Sequence, residues 1–106
     1  VAHLYDPLHP AVLRLIKFAT QAAEAAGIPI NLCGEMAGDP RFTALLLGLG
    51  LRDLSMAAPN LPRVKQRILG LEMSDAEKRT GQIVEQSDSG VIATLLDDFN
   101  ALGDKI

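Results

Sequence analysis

The chain has 106 residues, 48% apolar and 22% charged, with a net charge of −3, which suits one ordinary domain or a piece of a larger one and excludes a disordered chain or a polyanion-binding surface. Nucleic acid is therefore not an expected partner. No apolar run approaches the roughly 20 residues of a membrane span, no signal-peptide pattern opens the chain, and the single cysteine, Cys33, fits a reducing compartment, so a soluble cytoplasmic protein is expected.

Residues 2–10 hold two prolines, two histidines and an aspartate and read as an irregular lead-in loop. Pro10 suits a first helical turn, because its ring presets φ and its missing N–H would have no partner there. From Ala11 to Ala26 the apolar residues Val12, Leu13, Leu15, Ile16, Ala19, Ala22, Ala23 and Ala26 recur at helical spacing, and Gly27 ends the helix. Ile28 to Cys33 reads as a buried strand with Pro29 at its start. Pro40 to about Leu49 returns to helical spacing, Asp53 to Ala57 is a second short strand, and a helix follows from about Leu61 to Leu69. Helix, strand, helix, strand, helix implies parallel strands joined by a crossover. After Gly70 the pattern is helical only: Ser74 with Glu77 forms a capping-box pattern for a helix to about Gln86, and Ser87 or Asp88 can cap a last one through Leu102.

Two parallel strands do not make a sheet covered on both faces and both edges. The chain therefore reads as a piece of something larger, and the start at Val1 without methionine agrees with that. Between the strands lies Leu32-Cys33-Gly34-Glu35-Met36-Ala37-Gly38-Asp39-Pro40, where an apolar stretch opens into glycines and acids. Such strand ends are where α/β proteins keep their chemistry.

Three segments carry a resemblance: His3-Leu4-Tyr5-Asp6-Pro7-Leu8-His9-Pro10-Ala11-Val12-Leu13, then Cys33-Gly34-Glu35-Met36-Ala37-Gly38-Asp39, then Leu54-Ser55-Met56 with Pro62-Arg63-Val64-Lys65. Together they resemble the C-terminal end of the Enzyme I family of the bacterial sugar phosphotransferase system, the phosphoenolpyruvate-protein phosphotransferases, over residues 1–70 and more weakly over the tail. The resemblance implies an α/β chain that is the C-terminal fragment of a (β/α)8 TIM barrel binding phosphoenolpyruvate (PEP), with Cys33 near the end of the seventh strand and Ser55-Met56 on the eighth. Residues 1–70 would supply strand and helix units and residues 71–106 the C-terminal helices. It further implies magnesium as cofactor, transfer of the PEP phosphoryl group to a histidine on a separate domain and then to the carrier protein HPr, and a homodimer. The metal-binding carboxylates and phosphate-gripping arginines would lie upstream, so the fragment alone is expected to be inactive.

The role that the resemblance gives Cys33 is proton donor, converting enolpyruvate to pyruvate. A thiol, with a reference pKa of about 8.5, is mostly protonated at neutral pH yet acidic enough to part with its proton. Composition alone would make Cys33 a small buried hydrophobe; its surrounding segment reverses that preference. Gly34 would keep bulk away from the thiol, let the loop turn sharply and contact substrate. Glu35 and Asp39 have the chemistry of acid–base groups or magnesium ligands but fit loop hydrogen bonding better, Asp39 standing at an N-cap before Pro40. His3 and His9 do not match the phosphorylated histidine and read as local hydrogen-bonding residues. Met36 and Met56 read as filling space beneath the loops, and Arg63, Lys65 and Arg67 as a solvated helix face. Two alternatives stand beside this reading. Pyruvate phosphate dikinase and phosphoenolpyruvate synthase share the barrel and a similar cysteine loop, and a structural dimerisation module would have no activity of its own.

Overall fold

The computed structural model describes residues 6–103. In chain order these form α1 (Pro10–Ala26), β1 (Asn31–Cys33), α2 (Glu35–Gly38), α3 (Pro40–Gly48), β2 (Asp53–Ser55), a 3-10 turn (Ala58–Asn60), α4 (Leu61–Leu69), α5 (Met73–Val84) and α6 (Ser89–Gly103). The fold is mixed α/β and mostly helical. The two strands are parallel, as the alternation implies, with Asn31 opposite Asp53, Leu32 opposite Leu54 and Cys33 opposite Ser55.

The helix ends follow local chemistry. His9 caps α1 by accepting the Ala11 amide at its Nδ1 (3.0 Å), and Pro10 follows in the first turn. Gly27 ends α1 at φ 69°, in the left-handed region that glycine tolerates, with its amide on the Ala23 and Glu24 carbonyls. Asp39 caps α3 through the Arg41 amide (2.9 Å), and Asp88 caps α6 through the Gly90 amide (2.7 Å). His3 lies outside the described residues.

The core is one cluster gathered around α3. Phe42, Leu45, Leu46 and Leu49 meet Leu13 of α1, Ala76 and Ile83 of α5, and Ile92, Leu96 and Phe99 of α6. The helical tail thus shares the core of the strand-bearing part. α1 has more apolar surface than its contacts cover: Leu13 is buried, but Leu15 (66%) and Phe18 (70%) are exposed.

Two expectations need correction. Ile28 to Cys33 was expected to be a buried strand, yet only Asn31–Cys33 is strand, and in its three-residue ladder, as in that of β2, only the middle residue, Leu32 or Leu54, is partly buried against the core. Side chains alternate across a strand, so Asn31, Cys33, Asp53 and Ser55 share the opposite face and are exposed. Helices cover one face of the pair; among the described residues nothing covers the other.

The start of α5 also differs from the expected Ser74–Glu77 box. Glu72 is the N-cap, its carboxylate accepting the Ser74 and Asp75 amides, the latter at 2.7 Å, and the Ser74 hydroxyl at 2.7 Å. Those bonds, the Ser74 hydroxyl foremost, hold its pKa below the usual 4.5. A carboxyl lowered on folding stabilises the fold above its unfolded value, and that contribution is lost as pH falls through the folded value. Glu72→Gln is therefore expected to speed amide exchange at Ser74 and Asp75 near neutral pH, with the difference from wild type shrinking below about pH 4.5.

Candidate functional site at the carboxyl ends of the strands

β1 ends at Cys33 and the chain turns at once. Gly34 has φ 99° and ψ −162°, backbone angles that L side chains rarely adopt. A side chain there would meet nothing within 4 Å, so among the described residues it is the turn, rather than crowding, that calls for glycine. The turn leads into α2, a single turn of helix that the glycine content of the sequence had suggested to be loop. It closes with the Gly38 amide on the Gly34 carbonyl (3.2 Å).

The loop after β1 packs on the loop after β2. At Gly38 a β-carbon would come within 2.8 Å of Asn60 Nδ2 and 3.1 Å of Met56 Cβ, so the two loops touch where one of them has no side chain. Between them lies an open hollow of about 460 Å³ lined by Cys33, Gly34, Glu35, Ser55, Met56 and Asn60, among others. Its thiol is exposed. Two parallel strands end side by side at this hollow, the place where α/β sheets hold their ligands.

The structure brings Cys33, Gly34 and Glu35 together with Ser55 and Met56 and leaves the other candidates elsewhere. Asp39 is spent on capping α3. Met36 packs against the core, whereas Met56 lines the hollow. Arg14, Arg41, Arg52 and Arg67 make contacts within the fold, while Arg63 and Lys65 are exposed on α4. Arg14 donates to the Gln86 carbonyl (3.3 Å), Arg41 lies over the Phe42 ring (4.6 Å), Arg52 donates to the Leu47 and Leu51 carbonyls, and Arg67 reaches Asn100 of α6 (3.3 Å). No arginine or lysine among the described residues lines the hollow. Among the described residues no three His, Cys, Asp or Glu side chains group to hold a metal ion.

Sequence reasoning missed Asn31 and Asn60. Asn31 Nδ2 lies 3.1 Å from Ser55 Oγ, and Ser55 Oγ lies 3.2 Å from Asn31 Oδ1, tying the strands together beside the thiol. A signal was present: Asn31 stands two residues before Cys33, on the same face of a strand whose other neighbours are apolar.

Comparison with known proteins places this hollow in context. A family model described as PEP-utilising enzyme, PEP-binding domain, matches residues 1–73. A phosphoenolpyruvate-protein phosphotransferase of Cupriavidus necator is 51% identical over 88 residues, covering 83% of this chain and 15% of the relative. A namesake in Haloferax volcanii is 40% identical over 96 residues, covering 91% and 17%. A protein of Escherichia coli K12 named phosphoenolpyruvate-dependent phosphotransferase system is 44% identical over 85 residues, covering 80% and 11%. The chain thus spans less than a fifth of the length of these relatives.

Proposed function

Because the chain belongs to the family of PEP-utilising enzymes, matching its PEP-binding domain, we propose that it is the C-terminal part of a phosphoenolpyruvate-protein phosphotransferase and that Cys33 is its proton donor. The observation that carries the reading is the exposed thiol at the end of β1, level with Ser55 of β2 and opening into the hollow. Once PEP has given its phosphoryl group to a histidine, enolpyruvate remains. Enolpyruvate leaves as its enolate: the Cys33 S–H bond breaks, its proton forms a new C–H bond at the methylene carbon, the enolate C–O⁻ becomes the keto C=O of pyruvate, and the thiolate regains a proton from water.

The same reading makes the chain the closing part of a (β/α)8 barrel. In support, the strands are parallel, among the described residues helices cover only the Leu32 and Leu54 face, and the polar face of Asn31, Cys33, Asp53 and Ser55 points the other way, as toward a barrel interior. Residues 1–70 would be its last strand and helix units and residues 71–106 its C-terminal helices. Magnesium and the arginines that grip phosphate would come from sequence outside this chain, and HPr would be met by another domain. The parent would be a cytoplasmic homodimer, with the exposed Leu15 and Phe18 as apolar surface available to it. Among the described residues no helix is long and apolar enough to cross a membrane.

The test uses PEP labelled in the phosphoryl group. With magnesium, the full-length protein is expected to carry the label on histidine and release one pyruvate per label. The 106-residue chain, lacking a cationic grip, is expected to show no tight binding by calorimetry. Micromolar, magnesium-dependent PEP binding to the short chain would contradict this division of labour, and label transfer that requires ATP would contradict the enzyme class.

A further inference from the structure

We propose that Ser55, steered by Asn31, is a positioning residue for the Cys33 thiol, holding it by one hydrogen bond before the proton leaves and by another afterwards. The proposal rests on Cys33 as proton donor and adds a partner for each of its charge states.

Cys33 and Ser55 are register partners in a parallel ladder, so their side chains project on one face from strands about 4.8 Å apart. Both line the hollow. Asn31 stands two residues before Cys33 on that same face, and its amide reaches diagonally across to the Ser55 hydroxyl, with nitrogen at 3.1 Å and oxygen at 3.2 Å. Asparagine is depleted in strands. One placed between Ile30 and Leu32 calls for a side-chain reason, and this contact supplies it.

A hydroxyl has one proton and two acceptor positions, whereas a primary amide offers both donors and an acceptor. In one arrangement the Ser55 proton points to Asn31 Oδ1, and a lone pair of Oγ faces the thiol proton. In the other, Asn31 Nδ2–H donates to Oγ, and the Ser55 proton turns toward sulfur. The first suits a neutral thiol and the second a thiolate. The amide serves either arrangement at nearly equal distance. The Cys33 thiol makes no hydrogen bond among the described residues, so each arrangement takes a turn of the thiol toward Oγ together with rotation of the hydroxyl. No proton passes through Ser55: the thiol proton goes to the methylene carbon of enolpyruvate, and water restores it. Hydrogen bonds to charged groups are stronger than neutral ones, so the second arrangement favours the state that forms as the proton leaves.

Steady-state pyruvate formation by the full-length protein tests this. Ser55→Ala is expected to lower kcat about tenfold, leaving the KM for PEP within about twofold, and Ser55→Thr to recover most of the rate. Asn31→Ala, which leaves the hydroxyl without a guide, is expected to lower kcat about threefold. A second readout is the face on which the methylene carbon is protonated, followed with PEP deuterated at one methylene position in tritiated water. Wild type should give one handedness of chiral methyl, and Ser55→Ala a partly scrambled product. Wild-type kcat and stereochemistry in both Ser55→Ala and Asn31→Ala overturn the proposal, as does a rise in KM at unchanged kcat, which marks Ser55 as a substrate-binding group. Cys33→Ala run in parallel separates the two readings. If that variant turns over like wild type, the proton-donor reading fails; if it is crippled while Ser55→Ala and Asn31→Ala are not, only the positioning role fails.

Discussion

Replacing Cys33 with alanine in the full-length protein is expected to lower pyruvate formation by about 10²–10⁴-fold, the usual contribution of a placed general acid, while the fold is kept. The thiol is exposed at a strand end, so its removal opens no cavity, and surface changes of that kind usually move stability by less than about 0.5 kcal/mol. The loss should fall on the second half of the reaction. Phosphoryl transfer to histidine needs no proton at carbon and is expected to persist in a single turnover, whereas pyruvate follows only as fast as enolpyruvate finds a proton elsewhere. Cys33→Ser is expected to behave like alanine, because a hydroxyl is a far weaker acid than a thiol. The measurement is paired: labelled phosphohistidine by rapid quench, and pyruvate by a coupled dehydrogenase. Equal, wild-type rates for both in Cys33→Ala would remove the assignment.

Much of this was legible in the sequence because local rules decided it. Pro10, Gly27 and Asp39 mark helix ends through fixed φ, a left-handed turn and a cap, and each acts as such. The alternation of elements gave the parallel pair, and Cys33 with Gly34 marked the strand end and the sharp turn. What escaped depended on partners distant in sequence. Burial of Ile28 to Cys33 is not written in its apolar content, since two of the three residues of its ladder face away from the helices. The Asn31–Ser55 contact spans 24 residues and needs the register to be known. Glu72 displaced Ser74 as cap because its longer side chain reaches back over two amides and a hydroxyl at once, a competition that a four-residue pattern does not weigh. The phosphate grip is a different case: the resemblance puts its arginines upstream of this chain, and no arginine among the described residues lines the hollow.

Gly48→Ala is expected to destabilise the 106-residue chain by about 3 kcal/mol, lowering its melting temperature by roughly 12–20 °C. Gly48 sits in the last turn of α3, against α5. A β-carbon there would run into the Thr80 hydroxyl and stand 2.7 Å from Thr80 Cβ and 2.8 Å from the Ala76 carbonyl oxygen. Rotating Thr80 clears only the hydroxyl; the other two atoms move only if α5 moves. Thr80 is buried beside Ala76 and Ile83, so that shift pulls α5 from the core formed by Leu45, Leu46 and Leu49. Alanine gains about 1 kcal/mol over glycine in helix propensity, which offsets only part of the clash. Gly81 gives the opposite result within the same pair of helices. It lies inside α5 with nothing within 4 Å of its would-be β-carbon, so Gly81→Ala is expected to stabilise by up to about 1 kcal/mol. Thermal unfolding followed by circular dichroism distinguishes the two. If both variants shift the midpoint in the same direction, close helix packing at Gly48 is not what joins the tail to α3. With opposite shifts, the tail is locked on the same helix that begins at the Asp39 cap beside the hollow, and its docking supports the loop that carries Cys33.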